Sequence, residues 1–222
     1  MILAVLAASM VLKPAMFNVL FLGNSHTAYN DVPAMVKNLI ESDGTGKRVA
    51  TKFRMAGFVE ELAKDADLRR DIQSGRFQAV VLQGAKLSSS HRYEYDHSGA
   101  VDLAKLAKKN RMAVWLFAEW PRRGWDETAY ILKEYREISG PSGAKIVPIC
   151  RVWDRLRADG FKHDLWSTDG NHASPVGSFV AACSIAAHLS RSPQPPKWKP
   201  TFVDAKSAAQ IQKAARSIVD KG

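Results

Sequence analysis

A serine, an aspartate and a histidine occupy positions in this chain that suit nucleophilic catalysis. Ser25 follows a Gly-Asn pair at the end of the mostly apolar run 17–22, a pattern that predicts a buried strand ending in a turn. Asp169 and His172 lie three residues apart in the distant segment TDGNHAS. An imidazole can take the proton of a serine hydroxyl, and a carboxylate can orient that imidazole. If the fold brings these residues together, they predict acyl transfer through a serine nucleophile.

The elements that must position them alternate along the chain. The predicted strands span 17–22, 49–55, 77–82, 113–118 and 145–149, and the predicted helices span 59–74, 99–110, 126–138, 175–189 and 203–219, with a further helix capped by Asp31. Strict alternation of strands and helices predicts an α/β fold with three layers, α/β/α, and a parallel, flavodoxin-like sheet of about five strands in the order 2-1-3-4-5. Ser25 would then lie at the carboxyl end of the first strand, where ligands bind in such sheets.

The turn that ends in Ser25 (GNS) and the segment that ends in His172 (DGNH) together resemble the SGNH hydrolases, also called GDSL-type esterases. The resemblance spans residues 17–190. It implies an SGNH hydrolase fold in which Ser25 is the nucleophile, His172 is the general base and Asp169 orients the imidazole.

The resemblance also implies an oxyanion hole. Its donors would be the backbone amides of Ser25 and of Gly57, which lies in the segment RMAGF. The family has an asparagine in its third block whose side-chain amide donates to the oxyanion, whereas this chain has Gln83 there, with the same donor on a longer arm. Asn24 replaces the usual aspartate before the serine, at a position outside the catalytic machinery.

The implied activity is hydrolysis of a small acyl ester through a covalent acyl-enzyme, with no metal or organic cofactor. The partner would be a small-molecule or carbohydrate ester. An acetylated carbohydrate is the preferred substrate, because the family includes carbohydrate esterases and several tryptophans lie near predicted strand ends. Acyl transfer to a sugar hydroxyl uses the same intermediate and stays open. The irregular third block leaves another interpretation open, an SGNH-like domain that binds glycan or ester ligands with little or no catalysis.

Three further side chains are candidates for contacts with the substrate. His26 directly follows the nucleophile, His91 lies in the polar loop after the third strand, and Trp166 lies close to the DGNH segment. A metal site built from His91, Asp96 and His97 is disfavoured, because the loop lacks the ligand spacing typical of zinc sites.

The chain has 222 residues and a formal net charge of +10, which raises the question of an acidic partner. Its basic residues are interleaved with acidic ones and no nucleic-acid-binding motif accompanies them, so we expect no nucleic-acid partner. A basic protein that binds nucleic acid or a membrane surface is a third interpretation, and strong salt dependence of binding without ester turnover would support it.

Residues 1–15 form an apolar segment, and residues 16–222 are expected to form a single domain that includes the C-terminal helix. The apolar run is too short to span a bilayer and has no positive n-region, so stable membrane insertion is not expected. A signal, an extension or a start at Met16 all stay open. The location stays open between secreted or periplasmic and cytoplasmic, because the two cysteines do not decide the compartment. The oligomeric state is also open.

Overall fold

Five parallel strands form one sheet in the order β2-β1-β3-β4-β5 in the computed structural model, which describes residues 16–219. The strands are β1 (Met16–Gly23), β2 (Arg48–Met55), β3 (Ala79–Leu82), β4 (Ala113–Ala118) and β5 (Lys145–Pro148). The helices are α1 (Ser25–Ala28), α2 (Val32–Glu41), α3 (Ala66–Gln73), α4 (Ser98–Lys109), α5 (Thr128–Ser142), α6 (Ile149–Ala158), α7 (Pro175–Ser190) and α8 (Ala205–Ser217). The predicted fold class and strand order are confirmed. The predicted apolar segment 1–15 lies outside the described residues.

The sheet separates two hydrophobic cores, as its central strand shows. In β1, Val19 and Phe21 pack with α2, α6, α7 and α8, whereas Leu20 and Leu22 pack with α3, α4 and α5. All four side chains are fully buried. Successive side chains of a strand point to opposite faces, so a strand covered on both faces is apolar throughout. Among residues 16–219, no helix has both the length and the apolar character needed to cross a membrane.

Three elements differ from the sequence-based prediction, and the first is the short helix α1, which forms where a turn was predicted. The single helix predicted over 59–74 is two pieces, a 3-10 helix at Val59–Lys64 followed by α3. Asp65 causes the break, because its side chain accepts hydrogen bonds from the amides of Asp67 and Leu68 and so begins a new helix. The helix α6 was not predicted. It follows β5 without a connecting loop and without a side-chain cap, so no polar start signal precedes it.

A buried histidine links three elements beside the predicted substrate loop. His97 precedes α4, with its Nδ1 2.9 Å from Glu60 Oε1 in the 3-10 helix and its Nε2 3.3 Å from Glu134 Oε2 in α5. Burial alone would lower the pKa of His97, but the hydrogen bonds with the two carboxylates outweigh it and the pKa is raised. The imidazolium therefore holds the two acidic side chains together.

We expect His97→Gln to destabilise the protein more at about pH 6 than at about pH 9. Because the folded pKa is raised, the imidazolium contributes its full stability below the unfolded pKa of about 6.5 and loses it as the pH rises through the folded pKa. Urea unfolding of both proteins at the two pH values measures this. His163→Gln, at a more exposed histidine, is the control. An equal loss at both pH values would contradict the charged-histidine account.

Candidate active site

Ser25 owes its position to a turn at the carboxyl end of the central strand. Asn24 caps α1, and its Oδ1 accepts a hydrogen bond of 3.0 Å from the backbone amide of His26. Ser25 is the first residue of that helix, so its backbone N–H has no acceptor within the helix and is available to a ligand.

The DGNH segment forms a loop held by its own aspartate. Oδ1 of Asp169 accepts hydrogen bonds from Ser167 Oγ at 2.7 Å and from the backbone amides of Asn171 and His172, each at 2.9 Å. The hydrogen bond from His172, followed by those from Ser167 and the two amides, holds the pKa of the Asp169 carboxyl well below its usual range. Asp169 is therefore an anion with a fixed orientation.

The turn and the loop meet although they are 147 positions apart in the chain. Ser25 Oγ lies 2.9 Å from His172 Nε2, and His172 Nδ1 lies 2.5 Å from Asp169 Oδ2. The structure thus brings together the three side chains singled out in the sequence, in the order nucleophile, imidazole, carboxylate. This geometry can move a proton from the hydroxyl to the imidazole.

An exposed tyrosine restrains the imidazole from its other side. The ring of Tyr29 stacks on that of His172, with centroids 4.4 Å apart and planes 17° apart. Asn30 and Asp31 follow with φ of 55° and 54°, a left-handed conformation that these two residue types tolerate better than most. Asn30 Nδ2 donates to Ser178 Oγ in α7 at 2.9 Å, which fixes the turn against the core.

The two other predicted oxyanion residues lie close to the Ser25 turn. Gly57 follows β2, and its carbonyl oxygen accepts a hydrogen bond of 3.2 Å from Asn24 Nδ2. Gln83 follows β3 and is fully buried. Its Nε2 donates to Glu119 Oε2 at 2.6 Å, and it does not line the cavity beside Ser25. This arrangement does not support a role for the Gln83 amide as an oxyanion donor, because that amide faces a buried carboxylate.

A cavity of about 310 Å³ opens at the Ser25 turn. It is lined by Asn24, Ser25, His26, Phe58, Ala85, Leu87, Ser88, Ser89, Glu119, Trp120, Arg122, Glu127, Tyr130, Ile131, Asn171 and His172. The lining combines apolar and aromatic side chains with carboxylates, an arginine and hydroxyl groups. Such a mixture is typical of sites for small ligands, where apolar contact gives affinity and a few polar groups give orientation.

Of the three predicted substrate contacts, only His26 lines this cavity. His91 is held beside it, with its Nε2 2.9 Å from Glu127 Oε1 and its ring stacked on Tyr130. Trp166 lies outside it and donates from Nε1 to the carbonyl of Pro121 at 2.8 Å. Within residues 16–219, no group of three or more histidine, cysteine or acidic side chains is arranged to hold a metal ion.

The sequence patterns did not single out several polar residues of the cavity, among them Glu119, Arg122, Glu127 and Tyr130. One signal for Glu119 was present, because it directly follows β4 and so lies at the same sheet edge as Ser25. Arg122 and Tyr130 gave no such signal, since they lie in a loop and a helix whose path the strand pattern does not fix.

A glycine allows α7 to pack closely behind the DGNH loop. A Cβ atom at Gly177 would lie 2.0 Å from the carbonyl oxygen of Leu165 and 2.6 Å from the ring of Trp153. The same carbonyl accepts a hydrogen bond of 2.9 Å from the amide of Ser174, the N-cap of α7. Any larger residue at position 177 must therefore displace the backbone that supports His172.

We expect Gly177→Ala to destabilise the protein by about 1–3 kcal/mol, because the new methyl group overlaps a backbone oxygen. Gly140→Ala is the matched control. It makes the same change within α5, where no atom lies within 4 Å of the new Cβ. We expect this control to raise the free energy of unfolding by about 0.5–1 kcal/mol. Urea unfolding of both variants measures the two effects, and similar values would contradict the close-approach account.

No family model matches this sequence, and no curated protein shows significant similarity to it. Solved structures do share its fold. A protein of Slackia heliotrinireducens assigned to the SGNH hydrolases has a TM-score of 0.60 at 22% identity, covering 80% of this chain and 99% of that one. A DUF4886 family protein from Bacteroides uniformis has a TM-score of 0.64 at 15% identity, covering 91% and 94%. A family 3 carbohydrate esterase from Clostridium thermocellum has a TM-score of 0.53 at 11% identity, covering 79% and 100%.

At such low identities the likeness bears on the fold. It agrees with the five-stranded parallel sheet and with the resemblance carried by the Ser25 turn and the DGNH segment. The chain therefore has the fold of the SGNH hydrolases.

Proposed function

We propose that this protein is a serine esterase that hydrolyses small acyl esters. The observation that carries the proposal is the continuous set of contacts from Ser25 through His172 to Asp169 at the wall of a cavity. The fold adds support, because structural neighbours include a carbohydrate esterase and an esterase, EstA, of Pseudoalteromonas.

The proposed reaction has two halves. Ser25 Oγ attacks the ester carbonyl while His172 Nε2 takes the hydroxyl proton, and His172 then gives that proton to the departing alcohol. Water attacks the acyl-enzyme in the second half with His172 again as the base, which releases the acid and restores Ser25. Asp169 stays ionised and stabilises the imidazolium. The backbone amide of Ser25 at the cavity wall meets the developing negative charge on the carbonyl oxygen, and the family resemblance assigns the amide of Gly57 as a second donor. No cofactor takes part.

The size and lining of the cavity favour a short acyl group. A volume of about 310 Å³ lies at the lower end of the range for small-molecule sites, roughly 300–1,000 Å³. Exposed aromatic rings near it, Phe58 and Trp125, offer surfaces on which a sugar ring could stack. We therefore propose an acetylated carbohydrate as the preferred substrate.

One observation favours a second candidate, a domain that binds glycan or ester ligands with weak or no catalysis. The side-chain donor expected from the third block is absent from the cavity, because Gln83 Nε2 donates to Glu119. Loss of one oxyanion donor typically costs on the order of 3 kcal/mol of transition-state stabilisation. Such a loss slows an esterase without abolishing turnover, so we rank the enzyme first.

Ser25→Ala should lower kcat for p-nitrophenyl acetate by at least about 10³-fold, because no other group replaces the nucleophile. Ser89→Ala is the matched control, since it removes another serine hydroxyl from the cavity wall and should leave most of the activity. Circular dichroism of each variant confirms folding. Equal turnover by wild type and Ser25→Ala, or none by the wild type, would refute the esterase and favour the binding domain.

A further inference from the structure

We propose that Glu119 is a positioning residue that keeps the Ser25 turn and the DGNH loop in register. The inference rests on the proposed esterase function and adds to it a carboxylate outside the set of nucleophile, base and orienting aspartate. Glu119 directly follows β4, is 7% exposed and lines the cavity. Burying a carboxylate costs free energy unless its oxygens accept hydrogen bonds, so its partners indicate its role.

The first partner connects Glu119 to the nucleophile. Gln83 Nε2 donates to Glu119 Oε2 at 2.6 Å. Gln83 Oε1 accepts hydrogen bonds of 2.9 Å from the backbone N–H of Asn24 and from Thr27 Oγ1. The carboxylate therefore fixes which end of the carboxamide faces the helix α1. If the carboxamide turned over, its NH₂ group would face the Asn24 amide donor and the support of the Ser25 turn would be lost.

The second neighbour, His26, connects Glu119 to the loop that carries the general base, His172. Glu119 Oε2 lies 3.5 Å from His26 Nδ1, and His26 Nε2 lies 3.3 Å from Asn171 Nδ2. The amide of Asn171 is a donor, so Nε2 of His26 accepts and Nδ1 carries the proton. His26 Nδ1 is buried and makes no hydrogen bond with the described residues, and the Glu119 carboxylate lies within ion-pair distance of it. Asn171 directly precedes His172, so this contact reaches the DGNH loop.

Both connections start from the same oxygen atom. Glu119 Oε2 thus contacts one residue that supports the Ser25 turn and another that supports the His172 loop. The distance of 2.9 Å between Ser25 Oγ and His172 Nε2 depends on both segments. A displacement of about 1 Å between reacting groups can cost on the order of 10²-fold in rate. Glu119 acts through its neighbours, because His172 already takes the serine proton.

Glu119→Ala should lower kcat for p-nitrophenyl acetate by about 10²-fold, with KM changed less than about threefold. Glu119→Gln keeps an oxygen for Gln83 and should recover part of the loss, to about tenfold below the wild type. The rate at which a fluorophosphonate labels Ser25 should be lowest in Glu119→Ala and intermediate in Glu119→Gln, because this rate reports the activation of the Ser25 hydroxyl. A merely structural role would not produce this graded, kcat-specific loss.

Glu134→Gln and Glu134→Ala are the matched controls. Glu134 is also buried, at 3% exposure, but its partners are His97 and Lys133 and it does not line the cavity. These variants should lose stability yet keep kcat and the labelling rate. Equal kcat losses at the two glutamates, or wild-type kcat and labelling in Glu119→Gln and Glu119→Ala, would overturn the proposal and leave the esterase standing. A wild type that neither turns over ester nor is labelled would overturn both.

Discussion

Parallel strands end at one edge of their sheet, and this constraint gives the candidate site its composition. The segments after β1, β2, β3 and β4 carry Ser25, Gly57, Gln83 and Glu119, and all four lie at that edge. Because β1 lies between β2 and β3, the Ser25 turn receives support from both sides. The DGNH loop comes from outside the sheet, so loop hydrogen bonds and side-chain packing, rather than pairing with the sheet, hold it in place.

Three tryptophans supply that packing. Trp120 stacks on Trp153 with centroids 4.9 Å apart, and Trp166 meets the edge of Trp153 at 5.5 Å. The indole N–H of Trp120 donates to the carbonyl of Asn171 at 2.8 Å. The cluster thus links the end of β4, the helix α6 and the DGNH loop. Trp153 and Trp166 support the site from behind, in contrast to the sugar contact expected for Trp166.

The sequence predicted the sheet and the three central side chains because both depend on local signals. Apolar runs, their alternation with helices and the short GNS and DGNH segments can all be read without a structure. The interpretation of Gln83 depended on a contact 36 residues away, with Glu119, which no local pattern encodes. The helix α6 has no side-chain cap, so its start gave no local signal. Burial of Trp153 and its neighbours stabilises it instead, and this burial also depends on distant parts of the chain.

The separation of Ser25 and His172 by 147 positions has a consequence for folding kinetics. Contacts between distant parts of a chain form late, since the entropy of closing a long loop must be overcome first. Here the closure requires α7 to dock beside α2 and β1 to pair with both neighbouring strands. Helical structure should therefore return early during refolding, and the contact between Ser25 and His172 should be among the last features to form.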